Sequence, residues 1–593
     1  MSLRRLSPLL LSVLSGLLLF AAWPVSPLTF LIFIAFVPLL WLEQQATSRK
    51  KFFGWTYVTL VIWNLATTWW VMNSTVPGGI SAILANALLM CLPWIGFYNV
   101  KRKRGEKAGY AALILFWLTF EYIHLNWELS WPWLTLGNVF ASRPGWVQWY
   151  EFTGTSGGSL WVLLVNLLVF LLLRARFPPH RHDDTPAHTS TIPVGQAAPN
   201  SSFRLLLLIG ILLIVPLIAS RLLTPASFGQ AAQTAASGAS SGQTSAGQAA
   251  PSAQASVLQA SPAHNIILVQ PNVDPWDEKF VAGQEQAQLQ KLIRLSESLI
   301  DSNTALVVWP ETAVPVHINE DEIKTNYFMA PVWDFLKRHP SVNLLTGIEG
   351  FRFFSEQNKT PYSSKIPDSD KYADSYNSAA ILDSNRFQIY HKSKLVPGVE
   401  TLPSFLKFMS PLFEKFGGTT GGYARQAERT VLHSYNQTYR IAPAVCYESI
   451  YGEFMSTYIR NGANLIVVIT NDGWWGNTPG YRQHENYARL RAIETRRWVA
   501  RSANTGVSCF IDPAGEVIDP QPWAQTAVIK KTIPIITRQS QTFYVKYGDV
   551  LSKIAVAGAI LLVIGLLITS LLARRKNAEN ATAPTNPTKR ASA

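Results

Sequence analysis

The chain has 593 residues, of which 48% are hydrophobic and only 15% charged, a balance that is unusual for a soluble protein. The formal net charge of +14 would suit a nucleic-acid binder, but its distribution along the chain excludes that reading. Three cysteines in so long a chain exclude a disulfide framework.

In chain order, apolar runs long enough to cross a hydrocarbon layer of ~30 Å lie near 8–24, 27–43, 53–72, 79–98, 109–125, 157–173, 205–222 and 551–573, which predicts eight spans. Met1-Ser2-Leu3-Arg4-Arg5 before the first run has the shape of a signal peptide. No convincing small-residue cleavage site precedes Pro24 and further spans follow, so a retained helix is expected. With the N-terminus inside, the segments 1–7, 43–52, 99–108, 174–204 and 574–593 are cytoplasmic. They hold 19 Lys and Arg against 5 Asp and Glu, which is the whole net charge. Charge thus reports topology, and seven spans (1–223) deliver residues 223–550 to the outer face. Trp131, Trp133, Trp146, Trp149 and Tyr150 in the outer loop between the fifth and sixth spans read as an interfacial aromatic belt. Glu121 lies late in the fifth span, either functional or at the water boundary.

Residues 224–263 are rich in Ala, Gly, Ser and Gln and carry no charge, so they cannot bury a core and are expected to form a flexible tether. From 264 to 540 the pattern alternates. Strands are expected at 266–270, 305–309, 343–348, 379–382, 440–445, 465–470 and 507–511, and helices around 289–300 and 331–338. Such alternation predicts an α/β domain with a packed core. A transmembrane helix at 551–573 and a cytoplasmic tail at 574–593 close the chain.

Three strings within the α/β block stand out: VVWPETAVP with Glu311, YHKSKLVP with Lys392, and APAVCYES with Cys446. Each residue closes or follows an apolar, β-branched run, and strand ends are where α/β folds present reactive side chains. A thiol attacks an acyl carbon as thiolate, so it needs a proton acceptor, and the resulting oxyanion needs a positive charge or N–H donors. A carboxylate, an amine and a thiol fill those roles. Of the cysteines, Cys91 falls in the fourth span, and pairing Cys446 with Cys509 would silence the proposed nucleophile, so neither is expected to be bridged.

The order WPE, YxKxxLVP, CYE and then ITNDGWWG at 469–476 resembles the nitrilase superfamily. With the membrane spans, it resembles the apolipoprotein N-acyltransferase branch over nearly the whole chain. The resemblance implies a four-layer αββα sandwich, with Cys446 as nucleophile, Glu311 as general base, Lys392 as oxyanion stabiliser, and Glu400, Tyr447 and Glu448 at auxiliary positions. Two departures are visible. Pro397-Gly398-Val399-Glu400 places the glycine one position early, and Lys279-Phe280 stands where a Lys-Trp pair is common, with Trp276 just upstream. Trp474 and Trp475 follow the strand expected at 465–470 and suit an acyl-binding wall. The aromatic stretch 402–416, broken by Pro403 and Pro411, suits a lid that dips into the lipid interface.

What the resemblance implies is transfer of a fatty acyl group from a membrane phospholipid to the N-terminal amine of a diacylglyceryl-modified apolipoprotein, on the periplasmic face of a bacterial inner membrane. Membrane lipids are partners, nucleic acid is not, and neither cofactor nor metal is expected. The alternatives are a membrane-tethered nitrilase-type amidohydrolase, and a transporter or binding protein with an inactive domain.

Overall fold

The structure is a computed structural model that describes residues 6–177, 199–224, 263–279, 281–402, 422–536 and 541–582. The expected tether lies almost wholly outside these residues, as does all but the first residue of the expected lid.

Five described helices are long and apolar enough to cross a membrane: Val76–Arg104, Glu106–Leu125, Thr155–Arg176, Ser202–Leu223 and Val550–Arg575. They match the fourth to eighth expected spans. The first is a 15-residue helix, Pro8–Ala22, started by the Ser7 hydroxyl accepting from Leu10 N–H and by proline at its first position. The second is interrupted. A 3₁₀ turn, Thr29–Phe33, gives way to the helix Val37–Gln45, because Pro38 has no N–H and fits only a helical first turn. Backbone groups freed by this break find a partner inside the bundle: the Asn166 side chain accepts from Phe36 N–H at 2.8 Å and donates to the Ile32 carbonyl at 2.8 Å. The third, Arg49–Thr68, opens with three cations, buries Thr56, Thr59, Asn64, Thr67 and Thr68, and is not among the helices apolar enough to cross.

The α/β region is a sandwich of two sheets. The first has the order Ala527–Pro534, Ala263–Gln270, Thr304–Val308, Asn343–Phe354, Tyr372–Leu382 and Ser364–Lys365. Phe387–His391 also pairs with Tyr372–Leu382, and His317–Asn319 with Asn343–Phe354. The second has the order Val517–Ile518, Cys509–Ile511, Val499–Ala503, Leu465–Thr470, Arg440–Val445 and Leu432–His433. Alternation of side chains along a strand explains the layering. In the first sheet Ile266, Leu268, Leu306, Val308, Leu345, Ala379 and Ile381 join the core shared with the second sheet. Their neighbours Ile267, Val269, Val307, Leu344, Ala380 and Leu382 pack instead with the helices Glu285–Glu297 and Ala330–Arg338.

Outside the second sheet lies the helix Pro479–Thr495, buried along most of its length because the apolar bundle covers its other side. Trp23 Nε1 donates to Tyr487 Oη at 3.0 Å, Tyr487 Oη to the Trp133 carbonyl at 2.8 Å, and Gln483 Nε2 to the Thr67 carbonyl at 3.2 Å. Gly480 permits the contact, since a Cβ there would meet the Trp70 ring at 2.6 Å. One hydrophobic core therefore runs from the bundle into the sandwich. Trp133, expected in an interfacial belt, is buried at this junction and stacks edge-on against Trp70 and Trp475. Glu121, on the helix Glu106–Leu125, ties down the loop that carries Trp133: its Oε1 accepts from Trp117 Nε1 and from Leu136 N–H.

All seven expected strands are present within a few residues. Val499–Ala503 was not expected. Its central Arg501 breaks the apolar pattern and is buried because Asp472 meets its guanidinium at 2.7 Å.

Candidate active site

The two sheets bring their strand ends to a common seam. Glu311 lies just past Thr304–Val308, in a turn where Thr312 has φ +46°. Gly347 on the adjacent strand makes room for this turn, because a Cβ there would sit 2.3 Å from Thr312 N and 2.6 Å from Glu311 Cα. Lys392 follows Phe387–His391 and is fixed by its own N–H donating to the Asn377 carbonyl at 2.9 Å. Cys446 ends Arg440–Val445 and starts the 3₁₀ turn Cys446–Ile450 with φ +52°, a left-handed backbone that a non-glycine residue holds only when its surroundings impose it.

The three expected residues are all buried; Glu311 and Lys392 share one hydrogen-bond network, and the Cys446 thiol interacts electrostatically with both. Lys392 Nζ donates to Glu400 Oε1 at 2.8 Å and to Glu311 Oε1 at 3.3 Å. Asn377 Nδ2 bridges the same two carboxylates at 2.8 and 3.1 Å, and Glu311 Oε2 accepts from Asn471 N–H at 3.0 Å. The early glycine before Glu400 does not displace it. Gly398, at φ +81°, is the turn residue, and Glu400 Oε2 accepts from Val396 N–H at 2.8 Å.

Electrostatics assign resting charges. Burial would raise the Glu311 carboxyl, but Lys392, Asn377 and Lys279 outweigh it and hold it below the usual range. Burial opposes the Lys392 charge, yet Glu400, Glu311 and Cys446 hold it well above the ordinary lysine value. Burial, then the charge of Glu311, pushes the Cys446 thiol well up, with Lys392 opposing. The resting site is thus a neutral thiol beside a carboxylate and an ammonium. In general, a carboxylate beside a thiol is an arrangement in which a thiol proton can be taken up as the sulfur attacks.

The auxiliary residues divide. Glu448 is a bolt between the sheets: Oε1 accepts from Tyr390 Oη and Ser393 N–H, both at 2.7 Å, and Oε2 accepts from Val445 N–H at 2.9 Å. Tyr447 reaches the bundle, donating to the Ser130 carbonyl at 2.7 Å. The double tryptophan splits, with Trp475 seated at the bundle junction. Trp474 meets Trp276 edge-on at 4.9 Å, and both line a cavity of about 780 Å³ that Met72, Asn73 and Val76 of the bundle also border. Phe280 lies outside the described residues. Lys279 before it is buried, donates to Thr312 Oγ1, and is pushed down to about 8 by burial against the pull of Glu311.

Sequence reasoning assigned no role to Asn377, Asn471 or Lys279. Asn471 sits in the quoted string ITNDGWWG, but Asn377 lies mid-strand with no motif around it. Among the described residues, no group of three or more His, Cys, Asp or Glu is placed to hold a metal ion. The three cysteines are all free and buried.

An αββα sandwich with a carboxylate, an amine and a thiol at its seam, seated on a bundle of apolar helices, has the architecture of a membrane protein with an enzyme domain. Family models match two parts of the chain: carbon-nitrogen hydrolase over residues 256–541 and apolipoprotein N-acyltransferase N-terminal domain over residues 15–168. The chain is 31% identical over 577 residues to the apolipoprotein N-acyltransferase of Chlorobaculum tepidum, covering 94% of this chain and 96% of the relative. It is 27% identical to that of Geobacter metallireducens, covering 96% of each. It is also similar to the solved structure of Saccharomyces cerevisiae Nit3, a nitrilase-superfamily member, with 16% identity, a TM-score of 0.32, and coverage of 46% of this chain and 90% of that one. The chain belongs to the apolipoprotein N-acyltransferase family. It is an N-acyltransferase, and acyl transfer is favoured over the amidohydrolase alternative.

Proposed function

We propose that this enzyme moves a fatty acyl group from a membrane phospholipid to the α-amino group of the N-terminal diacylglyceryl-cysteine of lipoproteins, through a thioester on Cys446. The observation that carries this reading is the Glu311–Lys392–Glu400 network in charge contact with the Cys446 thiol, on a sandwich whose core is continuous with an apolar bundle. In the first half-reaction the sulfur attacks the ester carbonyl while its proton passes to Glu311. Lys392 donates to the oxyanion, the ester C–O bond breaks, and the proton leaves with the lysophospholipid alcohol. In the second, the acceptor amine attacks the thioester, Glu311 takes the amine proton, the C–S bond breaks, and the proton returns to sulfur. Glu400 keeps Lys392 charged and in place throughout.

The sandwich is proposed to lie on the periplasmic face of the inner membrane, a reading that the charge asymmetry of the sequence supports as to side. Reporter fusions after residue 104 are expected to read cytoplasmic. An external reading there would overturn this orientation. The chemical test is incubation of purified enzyme with acyl-labelled phospholipid: a hydroxylamine-labile label on the peptide containing Cys446 is expected. Label released only as free fatty acid, with no such intermediate, would sink the transfer mechanism.

A further inference from the structure

Three cations crowd one corner of the sandwich, where Arg429 and Arg425 both act on the charge of Lys394. Lys394, two residues past Lys392, is half-buried against the bundle. Its Nζ donates to the Leu125 carbonyl at 3.3 Å and lies 4.9 Å from the centre of the Tyr451 ring. Arg429 holds its guanidinium over Phe454 at 4.3 Å and donates from Nη1 to the Ala427 carbonyl. Arg425 is exposed and donates from Nε to Tyr362 Oη at 3.0 Å. An ammonium carries three N–H donors and a guanidinium five, so most of them are left over. Among the described residues none of the three cations pairs with a carboxylate.

The carboxylates around this corner are engaged elsewhere. Glu448 accepts from Tyr390 Oη and from the N–H groups of Ser393, Lys394 and Val445. Across a narrow cleft from Lys394, Glu453 pairs with Lys553 at 2.6 Å and Asp549 accepts from Tyr544 Oη at 2.7 Å. Glu428, next to Arg429 in the chain, is exposed. Burial, then Arg429 and Arg425, push the Lys394 ammonium down to about 8 against the pull of Glu448. Charge here is costly, and an arriving anion would offset the cost.

Depth in the membrane selects the anion. Leu125 is the last residue of Glu106–Leu125, a helix long and apolar enough to cross, so Lys394 sits where that helix leaves the hydrocarbon. Lipid headgroup phosphates lie at that level on either face of a bilayer. The corner is also tied to the thiol: Glu448 takes the Lys394 N–H on Oε1 at 3.1 Å and, on Oε2, the N–H of Val445, the residue before Cys446. In a glycerophospholipid the ester and the phosphate share one glycerol, so a site for one lies near a site for the other. We propose that Lys394, with Arg429 and Arg425 beyond it, binds the phosphate of the acyl-donor lipid and so determines specificity for a phosphate-bearing donor. This rests on the reading above in which a phospholipid acylates Cys446, and adds the residues that recognise it.

The test uses full-length enzyme in detergent micelles and follows acylation of Cys446 by a labelled phospholipid and by a labelled diacylglycerol with the same acyl chains. Wild type is expected to prefer the phospholipid. Lys394→Met is expected to shrink that preference about tenfold, chiefly through KM, the scale for losing one charge-assisted hydrogen bond. Lys394→Arg is expected to restore most of it. Equal use of both donors by wild type overturns the proposal, as does a Lys394→Met preference equal to that of wild type. Should Lys394→Met fail to fold, Arg429→Gln combined with Arg425→Gln decides by the same ratio. Inorganic phosphate that changes the rate equally with both donors would assign the corner to the free anion and overturn the lipid source. Absence of acyl-Cys446 from either donor in wild type would sink the functional reading itself, whereas acylated wild type with an unchanged variant preference would sink only the phosphate site.

Discussion

The two sheets divide the chemistry and the mechanics differently. The first supplies Glu311, Lys392 and Asn377 and is backed by its own two helices, away from the bundle. The second supplies Cys446 and Asn471 and is backed by a helix that the bundle also grips. The proposed acid-base groups thus sit on the sheet remote from the bundle, and the proposed nucleophile on the sheet tied to it. The contrast teaches that the Cys446 thiol is registered to the bundle, while Glu311 and Lys392 are registered to it across the seam.

The largest expected effect breaks the nucleophile side. Cys446→Ala should abolish the labelled intermediate and all turnover, because no neighbouring side chain supplies an equivalent thiol. On the other sheet, Lys392→Met should slow acylation by about 10²-fold or more, as removal of an oxyanion partner does. Residual turnover in the first variant equal to that in the second would erase the division of labour. Next in size is the seam. Glu448→Gln weakens hydrogen bonds to both sheets and should cost roughly 1–3 kcal/mol of stability, read as a lower Tm, with acylation impaired and phospholipid KM preserved.

A smaller effect concerns pH. In the proposed mechanism Glu311 works as a carboxylate, so activity is expected above its depressed pKa and falls as pH drops through it. Lys279 is one of the groups holding it down. Lys279→Met should therefore raise that pKa and move the acid limb of acylation to higher pH, with little change at neutrality. An unmoved limb would show that Lys392 and Asn377 suffice. The smallest effect is expected of Cys509→Ala, whose thiol is buried in a strand of the second sheet away from the network. Unchanged acylation would confirm that sharing the sheet is not sharing the chemistry.

Much of this was legible in the sequence where chemistry and local pattern coincide. Glu311, Lys392 and Cys446 each follow a short apolar run, so type, order and strand-end position could be seen together. Glu400 was harder, because its glycine is shifted, yet a turn closes with Gly398 in either register. Context hid the rest. Arg501 disguised its strand, since its burial depends on Asp472 29 positions earlier. Pro38 breaks an apolar run that length alone reads as one helix, and Asn166 compensates from 130 positions away. Trp133 has the composition of a lipid-facing belt, and only the docked helix shows that it faces protein. Asn377 had no signal beyond its strand, because its function follows from which carboxylates the fold brings beside it.

The C-terminal helix Val550–Thr582 packs against Glu106–Leu125, with Gly558 letting Leu115 approach to 3.0 Å from where a Cβ would stand. The sandwich is therefore inserted between two segments that end as neighbours in the bilayer. During synthesis the flank of Glu106–Leu125 that this helix covers stays unfilled until some 420 residues more have been made. A chain cut short before Val550 leaves the sandwich without its second anchor, and Glu106–Leu125 with an unfilled groove.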